Sequence, residues 1–221
     1  MTTAITDTQT LITGLHASTP QQLPFDRSTL ARAFLLEREA GNILIYSTSE
    51  LGRDAGAFRA LGGVSRQYLN HWHESIFGSL AGTGLEAPLF VHRDDADEAA
   101  QRLHVRGTFS RRHKFEDDFE VIPTPGHTPG ATAYLWDTGE HRLLFTGDTL
   151  MLRDGKWVAA VLDSSDRGRY IESLELMRGL DFDVLVPWAS SGEPHYMMLD
   201  DGEGRERIAT VIDRIWRGAN G

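Results

Sequence analysis

Two histidines one residue apart, His71 and His73, stand where an extended stretch ends. On extended backbone their side chains point the same way, and a turn at that point lets both imidazoles reach one ion. A third histidine, His127, lies in the string TPGHTPG at 124–130. Two prolines and two glycines around it fix a tight loop, and a rigid loop holds a metal ligand at a set distance. Asp148, in TGDT at 146–149, follows a strand directly, where a carboxylate can face a ligand crevice. Standing alone, such an aspartate is also an ordinary cap or turn residue. The chain has no cysteine, so any metal must sit on imidazole or carboxylate. Glu74 follows His73 immediately, and on a tight turn it supplies a ligand, takes a proton from a ligating imidazole, or faces solvent. His195, in GEPHY at 192–196, either folds back toward the cleft or stays in a surface loop. His16, His92, His104, His113 and His141 show no ligand spacing. Trp72, Trp157 and Trp188 are read as pocket lining or as core.

The elements that must position these residues follow from apolar patterning. Residues 42–46 (NILIY) form a buried strand, and 50–61 a helix closed by Gly62 and Gly63. A short strand at 65–70 runs straight into His71, and 76–84 is the start of a helix or a wide turn. Further strands are expected at 88–91 and 119–122, with a helix of acidic start at 96–103 between them. Residues 132–136 and 142–146 pair as a hairpin. A helix follows over 166–180, and 183–186 is the last core strand, stopped by Pro187. At the C-terminus Ile208, Val211, Ile212, Ile215 and Trp216 make one amphipathic stripe for packing on a sheet. Residues 1–25 read as an irregular lead-in with at most one edge strand. Strands covered by helices make an α/β (α+β) layered protein, and 221 residues fit a single domain over 1–221.

Composition narrows the function. The formal net charge of −10 argues against a nucleic-acid backbone as partner, with Arg111 and Arg112 too short a basic patch to reverse it. No apolar run approaches the roughly 20 residues of a membrane span, and the N-terminus lacks a signal-peptide pattern, so the expected location is the cytoplasm.

The series H-x-H, then TPGHTPG, then TGDTL after a strand resembles the metallo-β-lactamase superfamily, over about residues 42–191. The resemblance implies a four-layer αββα sandwich with a metal site at one edge between two sheets. It implies that His71, His73 and His127 form a first metal site and that Asp148 bridges toward a second. The family's first signature, H-x-H-x-D-H, is here HWHESI, so Ser75 and Ile76 replace an aspartate and a histidine. Ala189 stands where a further histidine usually follows the last strand. The aspartate that commonly supports the ligands from behind is also missing around Tyr46 and Ser47. Isoleucine and alanine coordinate nothing, and neutral serine is a poor ligand for a divalent ion.

What remains is half of a dinuclear site. Three imidazoles with an open fourth position match a catalytic zinc site, although iron or manganese also suit such a set. The expected function is mononuclear metal-dependent hydrolysis of a small ester, thioester or lactone through a metal-bound hydroxide. Asp148 is then a ligand, or the catalytic residue that orients or deprotonates the water. The alternative is a degenerate, non-catalytic member that binds a metal or small molecule. A small-molecule substrate is expected, with no nucleic-acid or membrane partner, and a homodimer on base rates alone.

Overall fold

Successive residues along the central strands of one sheet enter two separate cores. In the computed structural model, which describes residues 12–78, 80–192 and 195–219, three sheets are present among those residues. The first runs, edge to edge, β1 (Leu15–Ala17), β4 (Phe34–Leu36), β5 (Ile43–Ile45), β6 (Arg66–Tyr68), β7 (Leu89–His92) and β8 (Val105–Phe109). The second runs β17 (Met197–Met198), β15 (Val184–Pro187), β12 (Arg142–Gly147), β11 (Thr132–Asp137), β10 (Phe119–Pro123) and β9 (His113–Phe115). The third runs β14 (Lys156–Val158), β13 (Met151–Arg153), β16 (Ala189–Ser191), β3 (Thr29–Ala31) and β2 (Gln21–Gln22).

In the second sheet Phe119, Val121, Tyr134, Trp136, Leu143, Phe145, Val184 and Val186 join one core with Phe34, Ile43, Ile45 and Tyr68 of the first sheet. The intervening residues Ile122, Ala133, Leu135, Leu144 and Leu185 join another. That is the period of two of a sheet buried on both faces. The outer core is closed by Tyr170, Leu174 and Met177 of α3 (Arg167–Arg178) and by Ile208, Val211, Ile212 and Ile215 of α4 (Glu203–Trp216). On the other side α1 (Leu51–Ala60) buries Leu51, Ala55 and Phe58, and Ala99 of α2 (Ala96–Ala100) packs on Leu69, Leu89 and Val91. The layers are helix, sheet, sheet, helix, as expected of an αββα sandwich. Each fully buried side chain of this size contributes about 1.5–3 kcal/mol.

The topology brings three chain exits together. β10 and β12 are both antiparallel to β11, so they run the same way and end at the same rim of the second sheet. There β10 leads to His127 and β12 to Asp148. β6 leads to His71, and the amide of Thr132, at the start of β11, donates to the Asn70 carbonyl at 2.9 Å. The two sheets are thus stitched together where the histidines emerge.

Several short elements depart from the sequence reading. The lead-in carries β1 and β2 where at most one strand was expected, and residues 1–11 lie outside the described residues. β8, β9, β13 and β14 have no counterpart among the expected strands, and β16 and β17 follow the strand expected to be the last. None contains an unbroken run of three apolar residues like those of β5, β7 and β15. Around residue 76 the chain forms a 3₁₀ helix that begins earlier, at Trp72–Phe77. Trp216 is 72% exposed. It lies about 85–90° from the centre of the α4 stripe at 100° per residue, and the helix ends there.

Away from that rim, Arg38, just after β4, clamps Asp118, just before β10. Nε and Nη2 donate to the two carboxylate oxygens at 2.7 and 2.5 Å. The guanidinium side chain is buried and Asp118 is about one third exposed. Burial raises the Asp118 carboxyl, but the bonds and charge of Arg38 outweigh this and leave it below its ordinary 3.8. Asp118→Asn is expected to cost about 2 kcal/mol at pH 7 in urea denaturation. The unfolded chain binds the extra proton first, so this stabilisation is complete above the ordinary aspartate value and fades as pH falls toward the folded one. The gap between wild type and variant should therefore begin to narrow as pH falls through the ordinary aspartate value of 3.8 and close below the folded one. A constant gap there would assign the loss to packing.

Candidate metal centre

β6 stops at Tyr68, and Leu69 and Asn70 carry the chain into His71, whose extended backbone (φ −154°, ψ 162°) opens the 3₁₀ helix. The next turn carries His73. His71 and His127 are buried and His73 is half-buried. One ring nitrogen from each histidine lies within 4.8 Å of the others. Nδ1 of His73 and Nε2 of His127 are 3.1 Å apart.

The opposite nitrogens are occupied. Nδ1 of His71 meets Asn70 Oδ1 at 2.9 Å, and Nδ1 of His127 meets the Ala160 carbonyl at 2.7 Å. Both partners are acceptors, so each Nδ1 carries the proton and each Nε2 presents a lone pair. Burial, then the charges of His127 and His73, hold the His71 imidazole well below its ordinary value. Burial and His127 push His73 down to about 4. Both are neutral near pH 7, the form that ligates metals. Nε2 of His71 is buried with no hydrogen-bond partner among the described residues. This donor set fits a divalent ion of the zinc type: three imidazoles converge, and a buried lone pair is otherwise unsatisfied.

Asp148 lies beside the cluster. Its Oδ2 is 3.5 Å from His71 Nε2 and 3.6 Å from His127 Nε2, and its Oδ1 is buried with no partner among the described residues. Burial raises this carboxyl above its ordinary value, with the charge of His127 opposing. Tyr170 holds the turn, its hydroxyl lying 3.0 Å from the Asp148 carbonyl and 2.9 Å from that of Thr149.

Glu74 does not face solvent. It is fully buried and its carboxylate accepts three backbone N–H bonds, from Asn70 at 2.7 Å, His71 at 3.2 Å and Ser47 at 2.9 Å. Its Oε1 is 3.4 Å from His71 Nδ1. Burial raises this carboxyl well above the usual range, and the three donors oppose the rise. Glu74 therefore supports the ligand loop from behind, and through the Ser47 amide it reaches the strand end where the family's aspartate is missing. At that strand end stands Tyr46 in a left-handed backbone (φ 73°). Its hydroxyl donates to the Val186 carbonyl and accepts from the Gly147 amide, both at 2.8 Å. Such a conformation costs a bulky residue about 1–2 kcal/mol, and these two bonds hold it.

The second-site positions offer no imidazole or carboxylate. Ser75 is buried with its hydroxyl unpartnered among the described residues, Ile76 is half exposed, and Ala189 pairs with Ala31 inside the third sheet. Trp188 donates to the Ser47 carbonyl at 3.0 Å and sets its ring 5.6 Å from that of His71, edge on. Trp72 lies against His73 with centroids 4.1 Å apart. Trp157 instead sits in the outer core with Nε1 on Met197 sulfur. His195 stacks on Phe34 at 5.8 Å and is not part of the histidine cluster.

Sequence reading missed Asn70 and Asp95. The Asn70 amide donates to the carbonyls of Thr132 and Thr146, and any Cβ at Gly147 (φ 56°) would overlap it. Gly126 is likewise excluded from bearing a side chain, by the Tyr170 backbone. Glycines at such places signal close approach, but not the identity of what approaches.

The family model described as the metallo-beta-lactamase superfamily matches residues 54–189 of the chain. Among solved structures, a metallo-β-lactamase from Pontibacter korlensis matches at TM-score 0.71 and 15% identity, covering 94% of this chain and 97% of that one. A metallo-β-lactamase from Hirschia baltica matches at 0.70 and 14%, covering 92% and 96%. An archaeal metallo-β-lactamase superfamily protein from Sulfolobus tokodaii matches at 0.63 and 16%, covering 92% and 86%. Likeness at these identities establishes the fold. No curated protein matches the chain.

The buried Glu74 carboxylate yields a direct stability test. Glu74→Ala leaves three N–H groups without their acceptor and should cost about 3 kcal/mol in urea denaturation. A loss below about 1 kcal/mol would show that those groups find other partners.

Proposed function

Because the chain belongs to the metallo-β-lactamase superfamily, we propose that it is a mononuclear metal-dependent hydrolase acting on a small ester, thioester or lactone. One observation carries the reading: three imidazoles converge on one point while His71 and His127 are oriented from behind by Asn70 and Ala160. His71, His73 and His127 would hold the ion, zinc first and iron or manganese second, with Asp148 beside them. When bound, it supplies Lewis-acid polarisation of a carbonyl and lowers the pKa of a coordinated water.

The protein's own groups supply the rest. Burial raises the Asp148 carboxyl, so it takes up a proton more readily than a surface aspartate, and Oδ1 is its oxygen without a hydrogen-bond partner among the described residues. The indoles of Trp72 and Trp188 set apolar surfaces against His73 and His71, which favours an uncharged carbonyl compound. The absence of ligand side chains at positions 75, 76 and 189 favours one ion over two. It also favours a second reading, a non-catalytic member of the fold that binds a metal or small molecule. In either case we place the protein in the cytoplasm, as a monomer or homodimer working on a small molecule. No helix among the described residues is long and apolar enough to cross a membrane.

Elemental analysis of the purified protein should find about one ion per chain, lost in His127→Ala. An esterase, thioesterase and lactonase panel should then show hydrolysis that His71→Ala abolishes. Metal binding without hydrolysis would leave the second reading. Protein that neither carries nor takes up zinc, iron or manganese would rule out both metal-dependent readings.

A further inference from the structure

We infer that Asp95 is the positioning residue that sets the separation of the two ligand-bearing loops, and so how tightly the centre holds its ion. The inference rests on the metal-binding reading proposed above. Asp95 stands at the N-cap of α2, a place where an aspartate normally accepts from its own helix, yet its side chain makes no cap bond. It is 1% exposed. Burying a carboxylate is costly unless its oxygens are satisfied, and here every bond goes to the ligand loops. Oδ2 accepts from the Trp72 amide at 3.0 Å and from the Thr128 hydroxyl at 2.7 Å, and Oδ1 from the Gly130 amide at 2.7 Å.

The partners are well placed to transmit position. Trp72 lies between His71 and His73, so fixing its amide fixes the backbone that carries both. Thr128 follows His127 directly, and Gly130 closes the same loop. A Cβ on Gly130 would fall 2.6 Å from the Asp95 carboxyl carbon, so only glycine lets the carboxylate reach that amide. One rigid group thus spans the gap between the loops whose histidines approach to 3.1 Å. Partners of this kind behind ligating residues change metal affinity without touching the ion.

Asp95→Asn replaces one acceptor oxygen by a donor, which must oppose either the Gly130 or the Trp72 amide. Zinc affinity, measured by competition with a chromophoric chelator, should fall about 10–100-fold. The visible spectrum of the cobalt-substituted protein should shift as the histidine geometry relaxes. Asp118→Asn is the control: it loosens a clamp between the same two sheets away from the centre, and should lose stability but keep wild-type zinc affinity. Thr128→Val removes one of the three bonds and should weaken zinc several-fold, while Thr128→Ser restores it; this pair serves if Asp95→Asn does not fold. Wild-type affinity in a folded Asp95→Asn, or in Thr128→Val, would overturn the inference. So would an equal affinity loss in Asp118→Asn, which would reduce the effect to general stability. Failure of the wild type to bind zinc, iron or manganese would instead overturn the metal-binding reading itself.

Discussion

The Asn70 side chain bridges the two sheets at the rim where every candidate ligand leaves its strand. Its amide nitrogen donates to carbonyls at the start of β11 and near the end of β12, and its oxygen accepts from His71. A single planar group therefore ties β6, β11 and β12 together and sets the tautomer of one imidazole. The arrangement works only because Gly147 has no side chain to compete for the same volume. The bridge fixes the end of β6 against the second sheet at the point where the histidines meet.

Around this bridge lies a shell of buried polar groups that an apolar core would not tolerate singly. Glu74, Asp95 and Tyr46 are all buried, and each satisfies its polar atoms on the segments it supports, on backbone groups except for the Thr128 hydroxyl that Asp95 also accepts from. Desolvating a carboxylate costs several kcal/mol unless hydrogen bonds replace the lost water. Here the replacements come from amides belonging to different segments, so the energy that keeps these groups buried also holds the loops in place. Order at the centre and stability of the rim are one set of interactions.

The centre itself is asymmetric. One side gathers three imidazoles and a raised carboxyl, and the other carries Ser75, Ile76 and Ala189, with Trp188 against His71. On the reading proposed above, a second half without imidazole or carboxylate would suit a single ion and would leave Asp148 to accept a proton rather than bridge two ions.

Sequence alone determined the strands with a clear period, the two outer helices of the C-terminal half, the family resemblance and the three histidines, because each is written in local spacing. The turn chemistry of TPGHTPG and TGDT announces rigid loops after strands, and the structure places them so. Tertiary structure alone decided what stands behind the histidines. Glu74 was open between ligand, proton acceptor and solvent, and the fold buries it against amides from three residues. Asp95 lies one residue before the helix expected at 96–103, and Asn70 is the last residue of the strand expected at 65–70, and local spacing gives neither of them a role. Their partners lie 62 and 76 residues away for Asn70 and 33 and 35 for Asp95 on the side of His127. Trp216 shows the same limit in reverse, since a stripe cannot say where its helix leaves the core. A hydrogen bond across such a span depends on how sheets stack, and stacking is a property of the whole chain, not of any window along it.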